Sequence, residues 1–476
     1  MNRVRNSYWS GLALVAAVGV TGAGAAGADQ PSNQELLDKV NALQAQVDQL
    51  KGQQQLKQDL DRVAGDKSTA DSVQAEADRR STLLTAEGFT SGYSDGKFLI
   101  QSGDGRYVLH PWLQLQFRDV TTYREDAQHN GRDNDTQNGF EIRRLKFGFD
   151  GNAIAPELTY ALQFAVDRKT GVLSLEQAFG KYRIPNAGGL YVKGGQYKEP
   201  LDHEQLLASR YLTALDRTLS NDLFSNGEGF VQGISAGFDN GGPVRGEFAF
   251  TDGQRTANTN FQDFSTTPAD WGVAGRAEYK IFGNWSDYDR TTGAYDTKSN
   301  FLVFGAGADY TEAGDTNSFV HVLDANYGST RGLGVYGAYT GRAFNHAALG
   351  SIGSNGGTTG KTVGTDGYDW SFRGQVSYAI DTHWEPYVQY EFIHLDHSNF
   401  PAGAKNDIQV LRAGVNYYFH GTQARLTFDI NYLPDGSPVS DDGIGILATG
   451  ASTKTTGISH GGGNEFIARA QFQIAL

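Results

Sequence analysis

Basic side chains recur on one face of a series of alternating segments. Arg118, Arg144, Lys146, Lys181, Arg183, Lys193, Arg245, Arg276, Lys280, Arg373, Arg412, Arg425 and Arg469 all stand in the phase opposite to their apolar neighbours. A cation held in a narrow, partly dehydrated passage lowers the barrier for an anion and raises it for another cation. Arginine suits phosphate or carboxylate because its planar fork donates two hydrogen bonds at once. Fewer acids share this phase: Asp150, Asp167, Glu247, Glu278, Asp324, Glu391 and Asp429. The other use of such residues is ion pairing across neighbouring strands, and Arg245/Glu247 and Arg276/Glu278 have the same-face spacing for it.

Catalytic chemistry finds much less support. A hydrolytic site needs a preorganised nucleophile, base and acid, but His110, His203, His321, His394 and His460 are scattered and none stands in a nucleophile motif. His394 and His397 have H-x-x-H spacing beside Asp396, which falls short of the ligands and geometry a metal requires. The expectation is no catalytic residue, no metal and no cofactor.

The elements that must position the cations are strands. From about residue 97 to the end the pattern has period two, in sixteen segments of roughly ten residues: 107–118, 140–150, 157–167, 174–184, 189–197, 229–239, 243–252, 271–281, 300–311, 317–328, 331–341, 368–380, 384–395, 407–419, 422–433 and 464–476. In 422–433, Ala424, Leu426, Phe428, Ile430 and Tyr432 face one way while Gln423, Arg425, Thr427, Asp429 and Asn431 face the other. One side can meet lipid and the other water, at the length a tilted strand needs to cross a bilayer. Connections after even-numbered segments are mostly short and those after odd-numbered ones mostly long, as in outer-membrane barrels. The stretch 282–299 is the exception, long where a short turn is expected. The fold class is therefore all-β, a 16-stranded antiparallel transmembrane barrel. A soluble sandwich fits less well, because its strands are shorter and its sheet edges need protection.

Composition agrees. There is no cysteine, one methionine, 61 glycines and 12% aromatic residues. An exported chain without disulfides must be held by other means, and a closed hydrogen-bond ladder is one. The formal charge of −14 argues against a nucleic-acid partner. The basic phase of the strands means that most of the acid excess falls in loops and in the N-terminal part.

Residues 1–28 read as a signal peptide: Arg3 and Arg5, an apolar run from Gly11 to Val20, and a small-x-small cleavage site at Ala26-Gly27-Ala28. Within 29–63, Leu36, Val40, Leu43, Val47 and Leu50 alternate steps of four and three, the spacing of a coiled-coil seam; Gln54 interrupts it. The alternative is a lone amphipathic helix. Residues 64–94 read as a linker and 95–476 as the barrel. The connection 198–228 carries Leu201, Leu206, Leu207, Tyr211 and Leu215, too many apolar residues for a segment in water, and so is expected to fold back into the lumen. Its acids Glu199, Asp202, Glu204, Asp216, Asp222 and Glu228 outnumber Arg210 and Arg217.

The run Gly139-Phe140-Glu141-Ile142-Arg143-Arg144-Leu145-Lys146 into Phe149-Asp150-Gly151 resembles the phosphate- and polyphosphate-selective porins of Gram-negative bacteria. So do Gly195-Gln196-Tyr197-Lys198-Glu199-Pro200-Leu201, Asp216-Arg217-Thr218 and Gly414-Val415-Asn416-Tyr417-Tyr418 followed by Ala424-Arg425-Leu426, over roughly 94–476. The resemblance implies a trimeric barrel with an inward-folded third external loop, and anion conduction by basic residues, transferred most safely to Arg144, Lys146 and Arg217. The acid-rich 198–228 connection departs from a strongly basic constriction. Together these readings expect a passive outer-membrane channel for small anionic solutes, a homotrimer set in outer-membrane lipid and lipopolysaccharide with its N-terminal segment in the periplasm. The expected pore-lining residues are Arg118, Arg144, Lys146, Lys181, Arg183, Arg217, Arg245, Arg276, Arg373, Arg412 and Arg425. General, cation- or sugar-preferring channels are the alternatives, and a barrel enzyme is a more distant one.

Overall fold

The computed structural model describes residues 33–64, 88–94, 97–124, 128–129, 132–133, 136–168, 170–225, 228–254, 269–313, 316–347, 365–396, 407–434 and 464–476. The expected signal peptide, residues 65–87 of the expected linker, His397 and His460 lie outside them. The chain divides between Ala86 and Glu87 into two units.

The described residues of the first unit form the helix α1 (Asn33–Ala64), which continues past Gln54, where the seam lapses. Val40, Leu43, Val47 and Leu50 are all exposed on it.

The second unit opens with a hairpin, β1 (Thr90–Ser94) and β2 (Lys97–Gln101), so the stretch read as linker ends in a strand. Then comes the barrel: β3 (Val108–Arg124), the small hairpin β4 (Gln128–His129) and β5 (Arg132–Asp133), β6 (Thr136–Ala153), β7 (Ala155–Val166), β8 (Leu173–Arg183), β9 (Leu190–Lys198) and β10 (Phe230–Asp239). It continues with β11 (Val244–Thr251), β12 (Trp271–Phe282), β13 (Phe301–Ala313), β14 (Thr316–Gly328), β15 (Leu333–Ala347), β16 (Thr365–Tyr378), β17 (Trp384–His394), β18 (Asp407–His420), β19 (Ala424–Leu433) and β20 (Glu465–Ala475). Leaving aside β1, β2, β4 and β5, sixteen antiparallel strands form one sheet. It closes where β20 pairs with β3, Gln471 opposite Arg118. Closure leaves no edge strand, so the ladder satisfies the backbone of every wall strand without water. Val108 and Ala475 mark the terminal end of the barrel; Arg124 and Glu465 mark the far end.

Alternation places the apolar phase outside. Phe117, Ile142, Phe248, Leu323, Phe372 and Ile430 are exposed on the outer wall, while Arg118, Arg373 and Arg425 are buried within. Aromatic clusters flank this band, with Trp271 against Tyr310 near the far end and Trp384 against Tyr417 near the terminal end, as in membrane barrels.

The lumen contains a core of its own. Inward-facing Val120, Val320, Val322, Ile393, Ile408, Val410, Leu433 and Ile467 line its far end and pack on Leu201, Leu219, Leu223 and Phe224 of the 199–229 connection. The acid-rich connection thus folds inside the barrel. Each such side chain contributes roughly 1.5–3 kcal/mol when buried, enough for four of them to hold the loop against the wall. Close approach needs small wall residues: a Cβ on Gly307 of β13 would lie 1.9 Å from the Leu201 carbonyl oxygen. Gly307→Val is expected to expel the loop root and expose the loop to protease, whereas Gly180→Val, which meets only open space, leaves digestion unchanged. Limited proteolysis of the folded barrel checks this, and an uncleaved Gly307→Val loop would contradict it.

Candidate functional site

Inward phase, helix caps and ion pairs together build the lumen. Along the loop, α2 (His203–Leu206) is capped by Asp202, whose carboxylate accepts the Glu204 N–H at 3.0 Å. A 3-10 turn follows at Ser209–Tyr211, and then α3 (Leu219–Phe224), capped by Thr218. The first turn of α3 is also held from the wall, because Glu391 of β17 accepts the Leu219 and Ser220 N–H groups at 3.0 and 2.5 Å.

Asp216 is the hub. Its carboxylate meets Arg118 at 2.5 Å, Arg144 and Arg469 at 3.0 Å and Arg143 at 3.2 Å. Strict alternation would turn Arg143 out towards lipid, where an arginine costs about 2–4 kcal/mol at mid-depth. The structure avoids this with a bulge: Gln116 faces Arg144 and Phe117 faces Ile142, so Arg143 is the extra residue and both arginines reach Asp216. Sequence reading did not select Arg143, although two adjacent arginines within an alternating strand are the signal for it. Burial alone would raise the Asp216 carboxyl, yet the four guanidiniums hold it well below the usual carboxylate range.

The other expected cations are placed as follows. Arg373 pairs with Asp202 and lies 3.2 Å from Glu204. Arg276 binds Asp324 and Glu278 at 2.7 Å each, and Arg245 binds Glu278 and Asp289. Arg412 donates to Asn431, Gln389 and the Asp216 carbonyl. Lys146 meets Glu228 at 2.6 Å and Glu176 at 2.9 Å, and Arg217 binds loop carbonyls and lies 3.3 Å from Glu228. Lys181 sits over the Tyr191 ring at 3.7 Å. Arg183 is exposed at the strand end, donating to the Asp239 carbonyl, and so stands at the rim. Arg425 donates to the Leu212 carbonyl at 2.7 Å, while its Nε and second terminal nitrogen are buried without a protein partner.

The anomalous connection 283–300 also folds inward, from the terminal end. Its short helix α4 (Trp285–Tyr288) is tied to one side, where Trp285 donates to Gly242, Asp289 meets Arg245 at 2.5 Å and Tyr288 donates to Glu278 at 2.8 Å. On the other side Asn326 donates to the Thr291 carbonyl, Gln375 to the Thr292 carbonyl, and Tyr295 to the Thr382 carbonyl while stacking on Tyr418. Thr213 of the loop and Thr291 of this insert meet at 3.4 Å.

Among the described residues lie cavities of about 410 Å³ beside the 283–300 insert and about 270 Å³ against β3, β6 and β7. Lys97 and Arg210 line both, and Arg210 stands over the Trp112 ring at 5.2 Å. Neither cation has a carboxylate partner among the described residues. Nor do those residues include a metal-binding group of three or more histidine, cysteine or acidic side chains.

A family model described as phosphate-selective porin O and P matches residues 117–435. The chain belongs to this family. No curated protein matches this porin in sequence. Among solved structures it is similar to an anion-selective porin from Comamonas acidovorans, with 14% identity and a TM-score of 0.53, covering 77% of this chain and 99% of that one. It is also similar to OmpF of Salmonella typhi in complex with daunomycin, with 12% identity and a TM-score of 0.50, covering 81% of this chain and 100% of that one. Both likenesses are of fold. Family and fold together make the protein a porin of a Gram-negative outer membrane.

Breaking a buried charge pair from one side costs about 3–5 kcal/mol. Asp216→Asn, which leaves four guanidiniums facing one another, is expected to lower the denaturant midpoint of the porin by a comparable free energy. Because the Asp216 pKa is depressed, its contribution is complete above the unfolded value of about 3.9 and is lost only as pH falls through the lowered value. Wild-type loop protection against protease should therefore not fall between pH 7 and about pH 4, in the range above that unfolded value, and the Asp222 carboxyl of the same loop, raised by burial, acts in the same direction. A loss already at pH 5 would show that Asp216 does not hold the loop.

Proposed function

We propose that this porin is a passive, anion-preferring channel for small solutes of the phosphate or carboxylate class, with no enzymatic role. The observation that carries this reading is the charge left over once partners are counted. Of the carboxylates lining the cavities, Glu228 is offset by Lys146 at 2.6 Å and Asp296 by Lys298, while Asp150 meets the His110 ring at 2.8 Å and Asp287 accepts the neutral Ser299 N–H at 3.0 Å. The Leu476 terminus accepts the Leu113 N–H. Lys97, Arg210 and Arg290 line these cavities with no carboxylate partner among the described residues, and an unpaired cation in a confined aqueous passage attracts anions more strongly than a neutralised one.

On this reading Arg118, Arg144, Arg276 and Arg373 chiefly anchor the loop, while anion contact rests on Arg210 and Lys97, with Lys146, Lys181 and Arg425 close to the same route. The terminal end faces the periplasm, as an exported chain with an even strand number requires. The outer apolar band meets lipid and lipopolysaccharide. The exposed Val40, Leu43, Val47 and Leu50 stripe supports a homotrimer, because three copies could bury it as a coiled coil.

Reversal potential across a planar bilayer in a salt gradient tests the reading. The wild type should reverse towards the anion's equilibrium value, and added phosphate should reduce the current. Lys97→Glu with Arg210→Glu should move the reversal potential to the cation side. Cation preference in the wild type would overturn the proposal.

A further inference from the structure

The 283–300 insert is long where a membrane barrel needs only a tight turn, and its position gives a reason. It is held from β11 and β12 at Asp289 and Tyr288, and from the β16–β17 turn and β18 at Tyr295. Between these anchors it follows the wall closely. A Cβ on Gly293 would lie 2.6 Å from both Glu385 Oε1 and Thr213 Oγ1, and one on Gly334 of β15 would lie 2.6 Å from the Gly293 Cα. At Gly293 the insert lies directly against the wall, and at Thr213 against the loop. On the side bounded by β11–β18 the loop and the insert therefore meet, one entering from each end. The cavities of about 410 and 270 Å³ among the described residues are bounded by the insert, the loop, β3, β6, β7 and the ends of β18–β20.

We infer that the 283–300 insert is a second constriction, built from the terminal end, which blocks the barrel axis and diverts permeation along the β3–β6–β7 wall. Diversion gives the insert a part in selectivity. It confines solute to the side where Arg210 and Lys97 stand, and it adds Arg290 to the same cavity. A wider passage would let hydrated ions of either sign pass beyond the reach of these charges, since the screening length at physiological salt is about 8 Å. The effect of the insert on selectivity rests on the anion-preferring reading; its effect on conductance does not.

The experiment replaces residues 284–299 by a short turn in the full-length porin and records single-channel conductance and reversal potential. A several-fold rise in conductance with a reversal potential closer to zero is expected. Unchanged conductance would overturn the inference. A raised conductance with a wild type that proves cation-preferring would leave the constriction standing and sink the anion reading instead. A second variant covers failure of the shortened chain to fold. Thr213→Cys with Thr291→Cys joins the side chains whose oxygens lie 3.4 Å apart, in a chain with no other cysteine. Oxidised and reduced forms should conduct alike, as required if the insert stays in the lumen while the channel is open. Lower conductance on oxidation would show that the insert leaves the lumen in the conducting state, and would overturn the inference.

Discussion

The pairing of bore guanidiniums with the carboxylates of the inward loop is the interaction on which the rest of this porin depends. Arg118, Arg143, Arg144 and Arg469 converge on Asp216, and Arg373 meets Asp202 and Glu204. Without the loop, these cations would face one another across a confined space. Without the cations, the loop would bring several carboxylates into the barrel with nothing to offset their desolvation. Each side needs the other. The acidic loop and the basic bore, which look contradictory in sequence, are two halves of one network.

That network lies between two others. On the far side an apolar cluster inside the barrel seats Leu219, Leu223 and Phe224, so the loop is held by burial as well as by charge. On the terminal side polar contacts from the wall hold the 283–300 insert, and Thr213 joins it to the loop. The arginines most conspicuous in sequence are spent on scaffolding. The cations that line the cavities without a carboxylate partner among the described residues are Arg210, Lys97 and Arg290.

Much of the fold was legible beforehand. Period-two alternation over ten-residue stretches locates all sixteen wall strands, because each must present one face to lipid and the other to the interior. Its inexact parts have local causes. Strands β3 and β6 run longer than the bilayer requires, to Arg124 and from Thr136. A single bulge at Arg143 shifts the phase of β6, and alternation cannot register an extra residue. The apolar residues of the 198–228 connection signalled its inward fold. The 283–300 insert left only the signal of its length.

The sequence by itself determined the barrel, its strand number, the apolar outer face and the basic phase within, because these follow from local alternation and from the backbone's need for hydrogen bonds in a membrane. It also carried enough motif to mark the family. Which cations remain available was decided only by tertiary structure. Ion pairing depends on residues up to 253 positions apart, as between Asp216 and Arg469, and on loops that fold into the lumen. Charge is written in the sequence residue by residue; whether it is already neutralised is a property of neighbours that only folding supplies.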